Sequence, residues 1–246
     1  VMSSSVFYPR IYFCNDNFPE MAKYKWKKSL LAKYEKTVIK DADCCIVVSV
    51  PLQNKLKRIN KNVHLLLPGH EFKIDYDKIS TVGDKIKKIP ISVCYMGYID
   101  QRLSLDWLIA VASSDNFVLY LIGPVSNEFD ISPLCDHKNF KWKGPVVGTD
   151  LQALLESMDV CVMPFNTELE VVQAMTAPNK LFQYIASGKP IVTSDIPDLM
   201  KLPDGFIYKA RDPQDFSDKI LKAYEDDNKD LIKARMTLAL QNSWDS

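Results

Sequence analysis

Short apolar runs alternate along the chain with stretches in which apolar positions recur every three or four residues. The runs at Arg10–Cys14, DCCIVVS (43–49) and VHLLLP (63–68) predict strands. Between the first two, Tyr24, Leu31, Tyr34, Val38 and Ala42 recur at helical spacing and predict a helix over Pro19–Asp41. Pro51 opens a second helix with Leu52, Leu56 and Ile59 on its apolar side. The polar, lysine-rich residues 70–90, with Gly83 among them, read as a hinge or linker. A second alternation follows. PISVCYMG (90–97), FVLYLIG (117–123), NFKWKG (139–144), DVCVMPF (159–165), PIVTS (190–194) and FIYKA (206–210) predict strands. Helices are predicted over Leu103–Ser113, from a capping Asp150 to Met158, and over Pro178–Ser187, Pro213–Glu225 and Leu231–Leu240.

Strands that are apolar almost throughout, with helices between them, belong to parallel sheets covered on both faces. The expected class is α/β, with two Rossmann-like parallel-sheet units. The expected division is 1–75 for part of a first unit, 76–89 for a linker, 90–227 for a complete second unit, and 228–246 for a helix returning toward the first. The first unit has half the usual strands, and a half-sheet of this kind leaves an open edge.

Composition changes this picture little. The 246 residues carry 31 basic and 31 acidic side chains, and 47% are hydrophobic. A disordered chain and a uniformly basic nucleic-acid binder are excluded, so nucleic acid is not an expected partner. The longest apolar run, Cys44 to Leu52, is too short to cross a bilayer, and VMSSSVFYPR lacks the architecture of a signal peptide. Six cysteines without a CxxC pair and three histidines predict free thiols, a reducing compartment and no metal site. Charge is uneven: residues 1–90 hold 17 basic and 9 acidic side chains, residues 91–246 hold 14 and 22. The basic excess lies at Lys23, Lys25, Lys27, Lys28, Lys33, Lys36 and Lys40. It reads either as a solvated helix or as a face for an anionic membrane surface.

Open parallel sheets bind ligands beyond the carboxyl ends of their strands. The loops after Gly97, Gly123, Gly144, Phe165 and Ser194 therefore form one rim. Lys180 stands in the first turn of a predicted helix, where the helix dipole already places positive charge. A cation there is favourable when an anion is shared between lysine and helix, which makes a phosphate a natural ligand. Gln183 follows on the same side of the helix and can bond a sugar hydroxyl.

PNKLFQYIASGKPIVTSDIPDL (178–199) resembles the donor-site helix and following strand of GT-B glycosyltransferases. It is most similar to the retaining family 4 group, whose usual form reads P-x-K-x-x-E-Y-x-A-x-G-K-P-V-V. DADCCIVVSVPLQNKL (41–56), LLLPGHEF (65–72), YMGYIDQRLSLDWLIAVA (95–112), FVLYLIGPV (117–125), FKWKGPVVGTDLQALLESMDVCVMPF (140–165) and NSW (242–244) match in the same order. The resemblance implies a sugar transfer from a UDP- or GDP-linked donor, with retention, without a cofactor or divalent metal, to a glycan or lipid-linked acceptor. The reducing compartment read from the cysteines predicts a cytoplasmic protein, and the basic first half offers the inner face of the plasma membrane as its surface. The resemblance also implies roles for residues. Lys180 and Arg102 contact the diphosphate, and Gln183 the ribose. Gly97 opens the donor loop. The backbone of Gly144 to Val146 and the Phe165–Asn166 turn hold base and ribose, while Met175, Thr176, Ala177 and Asn179 line the transferred sugar. Three positions depart from the pattern: Gln183 replaces a glutamate, Met175 the first carboxylate of a glutamate pair, and Pro178 removes a backbone N–H. The family's glycine-rich loop and catalytic histidine are expected upstream of this chain, so no residue of it is assigned as catalytic.

Asp16 and Asn17, at the end of the first strand, are candidates for the acceptor side. His70 falls in the hinge facing a cleft, His64 reads as structural, and Glu168 and Glu170 precede the donor helix. Two other readings share these features: a nucleotide-sugar epimerase, which needs more carboxylates at the rim, and a non-catalytic nucleotide-sugar-binding or scaffold module.

Overall fold

A computed structural model describes residues 8–22, 24–83, 86–173, 178, 180–196 and 202–244. The described residues divide into two compact units, one ending at Pro68 and the other beginning at Gly69.

The first unit orders β1 (Ile11–Cys14), α1 (Lys25–Asp41), β2 (Cys44–Val47), α2 (Val50–Leu56) and β3 (Val63–Leu65). Its strands form a parallel sheet in the order β1-β2-β3. Cys14, Ile39, Cys45, Val47, Leu52, Leu56 and Val63 make its core. Ser49 caps α2, its hydroxyl accepting the Leu52 N–H at 3.4 Å. α1 corrects the expectation from sequence. It begins at Lys25 instead of Pro19, and it buries Glu35 and Ile39. Tyr24, Leu31, Tyr34 and Val38, whose spacing marked the helix, are exposed, Tyr34 at 62%. The reason is the narrow sheet beneath. It meets one stripe of the helix, and that stripe is closed by polar contacts: the Tyr12 hydroxyl donates to Glu35 Oε1 at 3.1 Å and Lys55 Nζ to Glu35 Oε2 at 2.8 Å.

The second unit runs α3 (Tyr76–Ser80), β4 (Ile91–Met96), α4 (Leu105–Ala112), β5 (Phe117–Ile122), α5 (Ser132–Cys135), β6 (Phe140–Trp142), α6 (Gly148–Ser157), β7 (Val160–Met163), α7 (Glu170–Gln173), α8 (Lys180–Ala186), β8 (Ile191–Ser194), β9 (Ile207–Ala210), α9 (Pro213–Asp226) and α10 (Lys229–Leu240). Its strands form a six-stranded sheet in the order β6-β5-β4-β7-β8-β9, parallel at each pairing. Each strand read from the apolar runs of 90–210 is present. α6 starts after Val147 without a side-chain cap, so Asp150 lies within its first turn and does not cap it. The free cysteines Cys94 and Cys161 pair in register across β4 and β7, their sulfurs 3.6 Å apart.

The stretch read as a linker carries α3 and is tied to this unit. The Lys73 N–H donates to Gln152 Oε1 at 3.0 Å, and Lys78 Nζ to Glu156 Oε1 at 2.6 Å. α10 packs against α8 and α3. Beyond it, the Trp244 N–H donates to the His70 carbonyl at 3.1 Å and the His70 N–H to that of Asn242 at 3.1 Å. His70 is itself buried. Its Nε2–H donates to the Ala239 carbonyl at 2.9 Å, and its Nδ1 accepts the Phe72 N–H at 3.1 Å. Both ring nitrogens are occupied in the neutral form, and burial lowers its pKa. This replaces the expectation of a histidine facing a cleft: His70 joins the C-terminal residues to the start of the unit. His64, read as structural, is exposed, with Nε2 2.7 Å from Asn62 Oδ1.

Candidate functional site

Parallel pairing brings the six strand ends to one edge. The chain leaves β4 for β5 and β6 on one side, then returns to β7 and continues through β8 and β9 on the other. The strand order therefore reverses between β4 and β7, and the crevice outside their carboxyl ends is where such sheets take ligands.

The loops that follow these two strands are joined. The Asn166 N–H donates to the Arg102 carbonyl at 2.7 Å, the Ser104 N–H to that of Pro164 at 2.8 Å, and Leu103 bridges Phe165. The strand ends themselves are bare. Gly97 and Gly123 have φ of 133° and 139°, and a Cβ on Gly123 would lie 2.0 Å from the Gly97 oxygen. A Cβ on Gly97 would lie 2.8 Å from Lys180 Nζ. The space beside the end of β4 thus belongs to the lysine.

α8 is fixed by its buried side, Leu181, Phe182, Tyr184, Ile185 and Ala186. The Tyr184 hydroxyl accepts the Met96 N–H at 2.7 Å, which pins the helix to the end of β4. Lys180, one turn earlier on that side, reaches over the strand end. Its Nζ donates to the Tyr95 hydroxyl at 2.7 Å, and lies 4.1 Å from the Tyr95 ring centroid and 5.2 Å from that of Phe165. Burial pulls its pKa down to about 7; the Arg102 guanidinium pushes the same way, and Asp100 opposes. Asp100 is buried and holds Arg102 through the backbone N–H at 3.0 Å, Nε at 2.9 Å and Nη2 at 2.8 Å. Tyr95 is buried as well, its hydroxyl donating to the Tyr98 carbonyl at 3.0 Å, and burial raises its pKa.

Of the residues read from sequence, Gly97, Arg102, Phe165, Asn166 and Lys180 meet at this crevice. The Asn166 side chain closes its own turn, Oδ1 accepting the Glu168 N–H at 3.1 Å. Glu170 opens α7. Gln183 is half-buried in α8. Gly144 lies at the end of β6, its carbonyl accepting the Gly123 N–H at 2.8 Å, with half-buried Val146 just beyond. Met175, Thr176, Ala177 and Asn179 lie outside the described residues. Asp16 and Asn17 belong to the first unit. Asn17 Oδ1 accepts from Lys55 Nζ at 2.8 Å, and its N–H donates to Asp16 Oδ1 at 3.1 Å. Sequence reasoning missed Tyr95, Asp100 and Tyr184. The signal for the tyrosines was available: a hydroxyl in an otherwise apolar buried run needs a partner. Among the described residues no cluster of three His, Cys, Asp or Glu side chains is placed to hold a metal ion.

The family described as Glycosyl transferases group 1 matches residues 90–226. The Bacillus subtilis protein TuaH, named for a glycosyltransferase role in teichuronic acid biosynthesis, is 24% identical over 216 residues, 81% of this chain and 53% of its own. Anabaena HepE, solved with UDP and glucose, superposes with a TM-score of 0.70 at 15% identity, over 95% of this chain and 67% of its own. The pneumococcal O-GlcNAc transferase GtfA, solved with UDP and GlcNAc, gives 0.59 at 15% identity, over 85% and 44%. The chain spans about half the length of the curated relative it matches. The likeness to the solved structures is one of fold, the GT-B type of α/β architecture. With more than half of the chain matched, and that half carrying the sheet and its crevice, the protein belongs to the glycosyl transferases group 1 family.

Proposed function

We propose that the chain is the donor-binding part of a glycosyltransferase that moves a sugar from a nucleotide-sugar donor to a glycan or lipid-linked acceptor, with retention at the anomeric carbon and without a divalent metal. The observation that carries this reading is the convergence of Lys180 and Arg102 at the crevice between β4 and β7, where Lys180 is held against burial and a second cation. An anionic ligand relieves that strain, and a titratable group perturbed in a cleft marks a site for such a ligand. In transfer, the two cations stabilise the charge that develops on the departing diphosphate, the role a metal ion plays elsewhere. Retention is inferred from the resemblance of residues 178–199 to the family 4 group. The UDP complexes of HepE and GtfA favour a uridine donor, with GDP-linked donors as the alternative.

Calorimetric titration with UDP, GDP and ADP tests the reading. UDP or GDP is expected to bind at micromolar to millimolar concentration. Failure of all three at millimolar concentration sinks it.

The acceptor side of the proposal draws on α1. Its exposed Trp26, Leu30, Leu31 and Tyr34 lie beside Lys25, Lys33, Lys36 and Lys40, an apolar and basic surface suited to an anionic bilayer. Among the described residues no helix is long and apolar enough to cross a membrane. Co-sedimentation with phosphatidylglycerol vesicles at low salt, reversed at high salt, is the expected result. A chain that stays in the supernatant at low salt removes the membrane from the proposal.

A further inference from the structure

We propose that Tyr95 is a positioning residue for the donor diphosphate, its phenol oxygen holding the Lys180 ammonium at the crevice in the orientation that meets the phosphates. The inference rests on the reading of the crevice as a nucleotide-sugar site.

Packing alone does not explain a tyrosine here. Phenylalanine fills the same buried place at the end of β4 without a hydroxyl to satisfy. The Tyr95 hydroxyl is committed in both directions. It donates to the Tyr98 carbonyl at 3.0 Å, so toward Lys180 it presents a lone pair, which accepts from Nζ at 2.7 Å. The ring is set edge-to-face on Phe165, centroids 6.4 Å apart at 86°, and both rings flank the ammonium. A third side is Gly97, where a Cβ would lie 2.8 Å from the amine. The lysine therefore lies in a notch cut for it by two strand ends. An ammonium has three N–H donors, and the phenol takes one of them, which orients the remainder.

The protonation state of this amine is part of the device. The titratable or charged groups facing it are Tyr95 from β4, and Asp100 and Arg102 from the loop that follows; Phe165, from the loop after β7, is uncharged. With a pKa near 7 in the free protein, Lys180 must be protonated to bind a diphosphate above that pH. Affinity then falls as pH rises, by about tenfold per unit.

The test is UDP, GDP and ADP binding between pH 6 and 9 by the wild type, Tyr95→Phe and Lys180→Ala. Tyr95→Phe keeps the ring and removes the hydroxyl, and its melting temperature is expected within a few degrees of wild type. Its affinity at pH 6.5 is expected to drop about tenfold, the scale of a hydrogen bond to a charged group, and the break near pH 7 is expected to move. Competitive acylation of Lys180 reads the same break without a ligand. A Tyr95→Phe protein with wild-type affinity, pH profile and acylation curve overturns the proposal. If Lys180→Ala is weakened in that experiment, the crevice reading survives it. If Lys180→Ala is also unchanged, or the wild type binds none of UDP, GDP and ADP, both fall together.

Discussion

Replacing Lys180 with methionine is expected to act in opposite directions on binding and on stability. Affinity for UDP falls on the order of a hundredfold, because removing one partner of a close, half-buried charge pair costs about 2–5 kcal/mol. Stability at neutral pH rises, because the amine is held in a place that lowers its pKa from 10.5 to about 7. Methionine fills the notch between Tyr95 and Phe165 without a charge to desolvate. The sign follows from proton counting. Between pH 7 and 10.5 the unfolded chain keeps a proton on this lysine that the native chain has shed. Native stability therefore climbs with pH across that window. Lys180→Met lacks that climb. Urea unfolding at pH 7 and pH 9, with UDP titration alongside, reads both effects. A residue kept for binding at the expense of stability gives this pattern. A variant that binds UDP as the wild type does, or that unfolds more easily at pH 7, refutes the assignment of Lys180 to the phosphates.

Much of the second unit was legible because its signal is burial on both faces of the sheet. Runs such as Ile91–Met96 and Val160–Met163 are apolar almost without break, and few other structures use such runs at that length. At α1 the helix was legible and its buried stripe was not, for a reason that periodicity cannot repair. A helix with apolar residues over a wide arc shows that a face exists, and leaves open which part of the arc meets a partner. Here the part that meets the sheet is centred on Glu35 and Ile39, and Glu35 became buried because Tyr12 and Lys55, distant in sequence, supply its hydrogen bonds. The cap assigned to Asp150 failed on a local alternative: α6 starts at Gly148, so the carboxylate is still in the first turn, where it suits the helix dipole.

At the crevice, what a short segment encodes was legible, and what two segments build together was not. Lys180 stood out as a cation at a predicted helix start, while Arg102 came from the resemblance to the family. Their surroundings depend on the joining of the loops after β4 and β7, through contacts such as Asn166 to Arg102, which no local pattern announces. Asp100 reads in sequence as a loop carboxylate; in the fold it is buried and engaged with Arg102 at three atoms. Tyr184 reads as one more helix apolar, yet its hydroxyl sets the distance between α8 and β4.

Arg235→Met is expected to be among the most destabilising single changes in the second unit, by about 3–5 kcal/mol. Arg235 is fully buried in α10. Its Nε donates to the Gly188 carbonyl at 3.0 Å, its Nη1 to that of Gly205 at 2.9 Å, and its Nη2 pairs with buried Asp227. One side chain thus joins the turn that closes α8, the turn before β9 and the end of α9. Burial lowers the arginine pKa, and the paired Asp227 opposes that shift. Methionine replaces the stem and leaves a buried carboxylate facing no guanidinium, with two carbonyls losing their donor. The double variant Arg235→Met/Asp227→Leu removes both charges and is expected to recover part of the loss, since the larger cost lies in a buried carboxylate that has lost its guanidinium and the smaller in the missing pair. Guanidinium unfolding of the two variants and the wild type decides the matter. A single variant within 1 kcal/mol of wild type would mean that the pair is carried by neighbours. Equal losses in single and double variants would place the cost in the Gly188 and Gly205 contacts instead. Because Gly188 follows the helix that bears Lys180, the same single variant is expected to loosen α8 and to weaken UDP binding in the fraction that remains folded.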